Sequence, residues 1–181
     1  MGNNYKNEEN QDVTLDNLEL KLLRAKKIGD NSICGIILNN IATLYKSYGE
    51  YTKALKYLLQ ALAIQIKMGD KLEEGTTLNN ISQVYEARGD YTKALEYLEK
   101  SLKIRVEIGD KSGECATRFN IGHIHFAKDE VQEAFASWLE VYEIAKEIEY
   151  AQVLEALDSL AEHFEFENFE ALKEEHKGSS N

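Results

Sequence analysis

The sequence predicts an all-α fold, a right-handed α-solenoid of antiparallel helix pairs with about eight to nine helices. Three observations carry this. The dipeptide Gly-Asp recurs every 40 residues, as Gly29-Asp30, Gly69-Asp70 and Gly109-Asp110. Between those marks LNNIATLYKSYGEYTKALKYLLQALAI (Leu38 to Ile64) lies over LNNISQVYEARGDYTKALEYLEKSLKI (Leu78 to Ile104) without a gap. Proline is absent, which suits a helical chain whose turns are made by Gly and Asp.

The elements follow in order. Residues 1–13 are polar and read as a flexible tail. Residues 14–28 match the second helix of a unit, with Leu18 aligned to Leu58 and Leu22 to Leu62. Repeat 1 spans 31–68, repeat 2 spans 71–108 and repeat 3 spans 111–148. Each splits into two amphipathic segments of about 17 residues at Gly49-Glu50, Gly89-Asp90 and Asp129-Glu130. The first segment of repeat 1 carries Leu38, Ile41, Ala42 and Tyr45 at helical spacing; the second carries Ala54, Leu55, Leu58, Ala61 and Leu62. Gly49 and Gly89 stand where a left-handed C′ residue ends a helix, and each Gly-Asp can stop one helix and cap the next. Small residues at Ala42, Ser82 and Gly122 face Ala54, Ala94 and Ala134, so paired helices can approach closely. Residues 151–176 read as a partial fourth repeat or cap, and 177–181 as a second flexible tail.

These positions resemble the tetratricopeptide repeat (TPR). Its large apolar residue, small-residue position, tyrosine and second-helix alanine are matched by Leu38, Ile41, Ala42, Tyr45 and Ala54, and again by Leu78, Ile81, Ser82, Tyr85 and Ala94. Repeat 3 keeps Ile121, Gly122 and Ala134 but has Arg118 and His125 at the other two places. The 40-residue period and missing proline are similar to the long-helix TPR variants of kinesin light chain and of spindle-orientation adaptors. The resemblance implies a non-catalytic protein-interaction scaffold.

Composition narrows the function classes. No apolar run approaches the roughly 18 to 20 residues of a membrane helix, and no secretory signal opens the chain, so a cytoplasmic protein without membrane contact is expected. Cys34 and Cys115 stand two repeats apart, beyond disulfide reach, and read as reduced thiols. Residues 1–127 carry 17 basic and 17 acidic residues, whereas 128–181 carry 4 and 15, so the whole net charge of −11 lies in the last third. That third is either a solvated cap or an acidic docking surface for a basic partner; both disfavour nucleic acid.

No catalytic residues, metal ligands or cofactor motif are expected. His123 and His125 are two apart and point to different sides of a helix, and His125 takes the place of the packing tyrosine. Phosphate-binding glycine loops and nucleophile elbows are absent. Trp138 sits at a packing position of a second helix.

The informative polar residues are asparagines inside the first helices: Asn39 and Asn40, Asn79 and Asn80, then Asn120. Asparagine is poor in helix interiors, so its recurrence there needs a reason. Stacked at 40 residues, Asn40, Asn80 and Asn120 form a ladder. A primary amide offers donor and acceptor together, so the ladder either holds the backbone of an extended peptide or braces neighbouring helices. In the long TPR variants that these repeats resemble, asparagines at this place hold peptide. On the same face lie Thr43, Gln83 and His123, with Phe119 and Phe126 forming an apolar patch in repeat 3. The expected function is a scaffold binding a peptide or protein segment in the concave groove. The alternative is a self-associating or regulatory solenoid module, homo-oligomeric through its ends.

Overall fold

In the computed structural model, residues 14–178 are described, with side chains through Glu175. The tails expected at 1–13 and 177–181 lie outside the described residues, except that the last helix runs on to Gly178. The described residues form nine helices: α1 (Leu15–Ile28), α2 (Asn31–Ser47), α3 (Tyr51–Met68), α4 (Lys71–Ala87), α5 (Tyr91–Ile108), α6 (Lys111–Ala127), α7 (Val131–Glu147), α8 (Ala151–His163) and α9 (Phe169–Gly178). The fold is all-α, with consecutive helices packed as antiparallel pairs.

Helix boundaries come from local chemistry. Asp30, Asp70 and Asp110 accept from the backbone N–H groups of Ile33, Glu73 and Gly113 at 3.0, 3.2 and 2.9 Å, so each Gly-Asp aspartate caps a first helix as expected. Gly49 and Gly89 take φ of +73° and +74° where the first helices end. Repeat 3 meets the same geometry without glycine: Asp129 is at +63° and Glu149 at +55°. A side chain there carries the strain that glycine avoids, about 1 kcal/mol for a left-handed residue.

The chain divides into two compact units, Met1–Gly69 and Asp70–Asn181. In the first, Leu18, Leu22 and Ala25 of α1 share a core with Cys34, Ile37, Leu38 and Ile41 of α2 and Ala61 of α3. Tyr45 and Tyr57 stack beside it at 5.4 Å. In the second, Tyr85 and Tyr97 repeat that stack at 5.5 Å, next to a cluster of Ala94, Leu98 and Ile124. A larger core follows, built on Cys115, Phe135, Trp138, Val141, Tyr142, Leu157 and Phe169. Side chains as deeply buried as Leu58, Leu98 and Leu157 each contribute about 1.5 to 3 kcal/mol by leaving water.

Between paired helices, size on one side is matched by its absence on the other. A Cβ at Gly122 would lie 2.3 Å from Nε1 of Trp138, so the tryptophan at the position of Leu58 and Leu98 is admitted by the glycine at the position of Ala42 and Ser82. The Arg105 side chain lies over Gly75 at ordinary contact distance, its Cγ 3.4 Å from where a Cβ would stand, and it is Gly113 of α6 that makes room for its guanidinium, which a Cβ there would overlap. Arg105 is 7% exposed and pairs with Asp110; its Nη2 donates to Thr76 Oγ1 at 3.2 Å and its Nε to Ser101 Oγ at 3.3 Å. This buried ionic network had no counterpart in the sequence reading.

Candidate peptide-binding face

All the candidate residues lie on first-type helices: Asn39, Asn40 and Thr43 on α2, Asn79, Asn80 and Gln83 on α4, and Phe119, Asn120 and His123 on α6. Their surroundings differ between the units.

In the first unit Asn39 is 7% exposed, and its Nδ2 donates to the Gly35 carbonyl one turn back at 3.2 Å. Thr43 Oγ1 donates to the Asn39 carbonyl at 3.1 Å. Both of these bonds lie within α2. Asn40 is exposed and lines a groove of about 410 Å³ between α1 and α2, together with Lys21, Arg24, Ile33 and Ile37. Lys21 and Arg24 escaped the sequence reading, although Lys21 stands at the position of Ala61 and Ser101 and was legible as a charge on a packing face.

In the second unit Asn79, Asn80, Gln83 and Asn120 are all half-buried. Asn120 Nδ2 donates to Asn79 Oδ1 at 3.1 Å. The bonded pair is 41 residues apart, one step off the expected 40-residue register. It uses one amide hydrogen of Asn120 and the carbonyl of Asn79, which leaves the Asn120 carbonyl and the Asn79 NH₂ group for other partners.

Beside this pair, repeat 3 carries an aromatic group. The exposed His123 has Nδ1 2.9 Å from the Phe119 carbonyl, which can only accept, so Nδ1 holds the proton and Nε2 is an acceptor in the neutral ring. Its ring lies 4.5 Å from that of Phe119 and 5.5 Å from Trp138, edge to face with the latter. Trp138, 2% exposed, donates Nε1 to the same carbonyl at 3.3 Å and is a core residue, as expected. Phe126 is 38% exposed and meets Phe164, the residue that caps the end of α8, edge to face at 5.5 Å. His125 is half-buried like Tyr45 and Tyr85, but its Nδ1 lies 2.7 Å from Glu130 across the α6–α7 turn. Lys128, then His125, hold the Glu130 carboxyl below its ordinary range by hydrogen bonding.

Arg118 is engaged by two carboxylates. Its Nε lies 3.0 Å from the buried Glu114 and its Nη1 pairs with Glu140. Cys34 and Cys115 are free and buried, and burial pushes the Cys115 thiol up to about 11, so it stays protonated and unreactive at neutral pH. Among the described residues no group of three or more His, Cys, Asp or Glu could hold a metal ion, and no helix is long and apolar enough to cross a membrane.

Residues 21–106 match the family model of the tetratricopeptide repeat. No curated protein sequence matches the chain. Among solved structures, BtubC (BKLC) from P. vanneervenii is similar with a TM-score of 0.65 and 19% identity, over 72% of this chain and 54% of that one. Kinesin-light-chain-like TPR repeats from Podosopora anserina are similar with a TM-score of 0.60 and 21% identity, over 74% and 66%. A Signal Transduction ATPase with Numerous Domains protein with a tetratricopeptide repeat sensor, from Pyrococcus horikoshii, gives a TM-score of 0.70 and 24% identity, over 85% and 24%. The chain thus spans less than two thirds of each of these three, and at such identities the likeness speaks for the fold. With their 40-residue register, their paired helices and the family match, residues 21–106 are tetratricopeptide repeats.

Proposed function

We propose that the chain is a non-catalytic interaction module that holds an extended peptide segment of a partner protein by its backbone, on the face formed by α4 and α6. The observation that carries this is the Asn79–Asn120 bond. It orients an amide donor on Asn79 beside an amide acceptor on Asn120, and together these complement the C=O and N–H of a peptide unit. Two half-buried amides already fixed by each other lose little side-chain entropy on binding, which favours recognition by preorganisation. Phe119 and His123, next to Asn120 on α6, supply an apolar surface and one acceptor for a neighbouring side chain. Binding by tetratricopeptide repeats in general supports a protein partner. Asn39 and Thr43 belong on this reading to bracing, and Asn80 and Gln83 flank the grip.

The test is selection of ligands from a random dodecapeptide library, followed by fluorescence anisotropy with the tightest peptide. Asn79→Ala and Asn120→Ala should each weaken it by about tenfold, the effect of losing one or two hydrogen bonds, with little change in melting temperature. Unchanged affinity with a lowered melting temperature would make the pair a brace.

A further inference from the structure

The α1–α2 groove lies outside that reading, and the repeat register says what belongs there. Leu18, Lys21 and Ala25 of α1 occupy the positions of Leu58, Ala61 and Gln65 on α3, and of Leu98, Ser101 and Arg105 on α5. All six residues on α3 and α5 are buried, Ala61 and Ser101 completely. On α5 these positions receive a first-type helix: Ser101 Oγ donates to the Gly75 carbonyl of α4 at 2.8 Å, and Arg105 reaches Thr76. On α1, Leu18 and Ala25 are buried in the core shared with α2, but the position between them is open. Lys21 is exposed there, Ile28 is 74% exposed, and among the described residues no first-type helix covers them.

We infer that this groove seats an amphipathic, acidic helix of a partner protein, which stands against α1 as α4 stands against α5. Apolar contact comes from the exposed Ile28 and Ile33, at the edges of a floor made by the buried Leu18, Ala25 and Ile37. The sign of the partner follows from Lys21 and Arg24, neither of which forms an ion pair with a described residue. Lys21 takes the place of Ser101, so it meets the seated helix where Gly75 meets Ser101; a carboxylate near that point is bound and a lysine is repelled. Asn40 takes the place of Asn120, which bonds Asn79 of the first helix before it, so Asn40 is positioned for an amide on the incoming helix.

The probe is a fluorescein-labelled, acetylated and amidated peptide with the sequence of α4, KLEEGTTLNNISQVYEA, titrated with the full chain. It has the first-helix pattern and carries Glu73, Glu74 and Glu86. Saturable binding is expected. It should weaken about tenfold, the value of two ion pairs at a partly dried interface, in Lys21→Glu/Arg24→Glu protein and in a probe whose three glutamates are lysine. Both residues are exposed, so circular dichroism should show the variant folded. Absence of saturable binding, or equal binding by the variant or the lysine probe, overturns the inference. So does tighter binding after removal of residues 1–13, which assigns the groove to the chain's own segment, or displacement of the probe on concentration-dependent dimerisation, which assigns it to a second copy.

Discussion

Replacing Gly122 by alanine tests whether paired helices are fitted by exchange of size. A glycine to alanine change inside an exposed helix stabilises by about 1 kcal/mol through helix propensity. Here the new Cβ would lie 2.3, 2.5 and 2.8 Å from three indole atoms of Trp138. The ring cannot easily move away. It is 2% exposed, its Nε1 is bonded to the Phe119 carbonyl, and His123, Phe126 and Phe164 surround it. Overlap with three atoms of a confined ring belongs at the upper end of overpacking, about 3 kcal/mol. The net loss is then about 2 kcal/mol, or roughly 4 to 8 °C in melting temperature for a chain of this length. Trp138→Leu alone should cost about 2 to 4 kcal/mol by opening a cavity. The double variant recreates the Ala42 and Leu58 pairing of repeat 1 and should be more stable than the sum of the single losses by at least about 1 kcal/mol. Differential scanning calorimetry of the four proteins gives the cycle. A Gly122→Ala protein as stable as the parent, or more so, would refute the reasoning.

Three further outcomes follow from the same structure. Glu149→Gly, at φ +55°, should stabilise by about 1 kcal/mol in thermal unfolding, whereas Gly49→Ala at φ +73° should destabilise by a similar amount. Asp110→Ala should cost about 3 kcal/mol, because it removes a cap and leaves the buried Arg105 guanidinium unpaired, while Asp30→Ala, whose bond to the Ile33 N–H is a cap alone, should cost about 1 kcal/mol. Tyr142 donates to Glu170 on α9, and that bond, with burial, pushes the phenol up to about 12 while holding the Glu170 carboxyl below its usual range. A raised phenol value means that the stabilisation is complete below pH 10 and lost as pH climbs through about 12; a lowered carboxyl value means that it is also lost as acid protonates Glu170. Ring-carbon NMR titration should find Tyr142 ionising late, and earlier in Glu170→Gln.

The helices were legible because each signal is local. Leucine spacing, the Gly-Asp caps and the left-handed Gly49 and Gly89 act within one or two turns, and the structure places helix ends at those residues. What depends on two helices meeting was harder to read. Gly113 and Gly122 look like weak helix residues until Arg105 and Trp138 are seen against them. The register of 40 aligns Asn80 with Asn120, but the bond forms from Asn120 to Asn79, on the neighbouring helix. The pairing of Arg118 also needs two helices, because Glu114 lies four residues away on its own helix but Glu140 lies on the next one. Lys21 could have been found, since only the comparison with Ala61 and Ser101 marks it as unusual.

The central claim is that Asn79 and Asn120 hold a peptide by its backbone. Its most direct test is an N-methyl scan of the library-selected peptide, in which each backbone N–H in turn becomes N–CH₃, measured against the parent chain and Asn120→Ala. The account predicts one position where methylation weakens binding to the parent by about tenfold and changes little against Asn120→Ala, because the acceptor it addressed is gone. A scan without such a position, beside a steep dependence on the peptide's side chains, would contradict it.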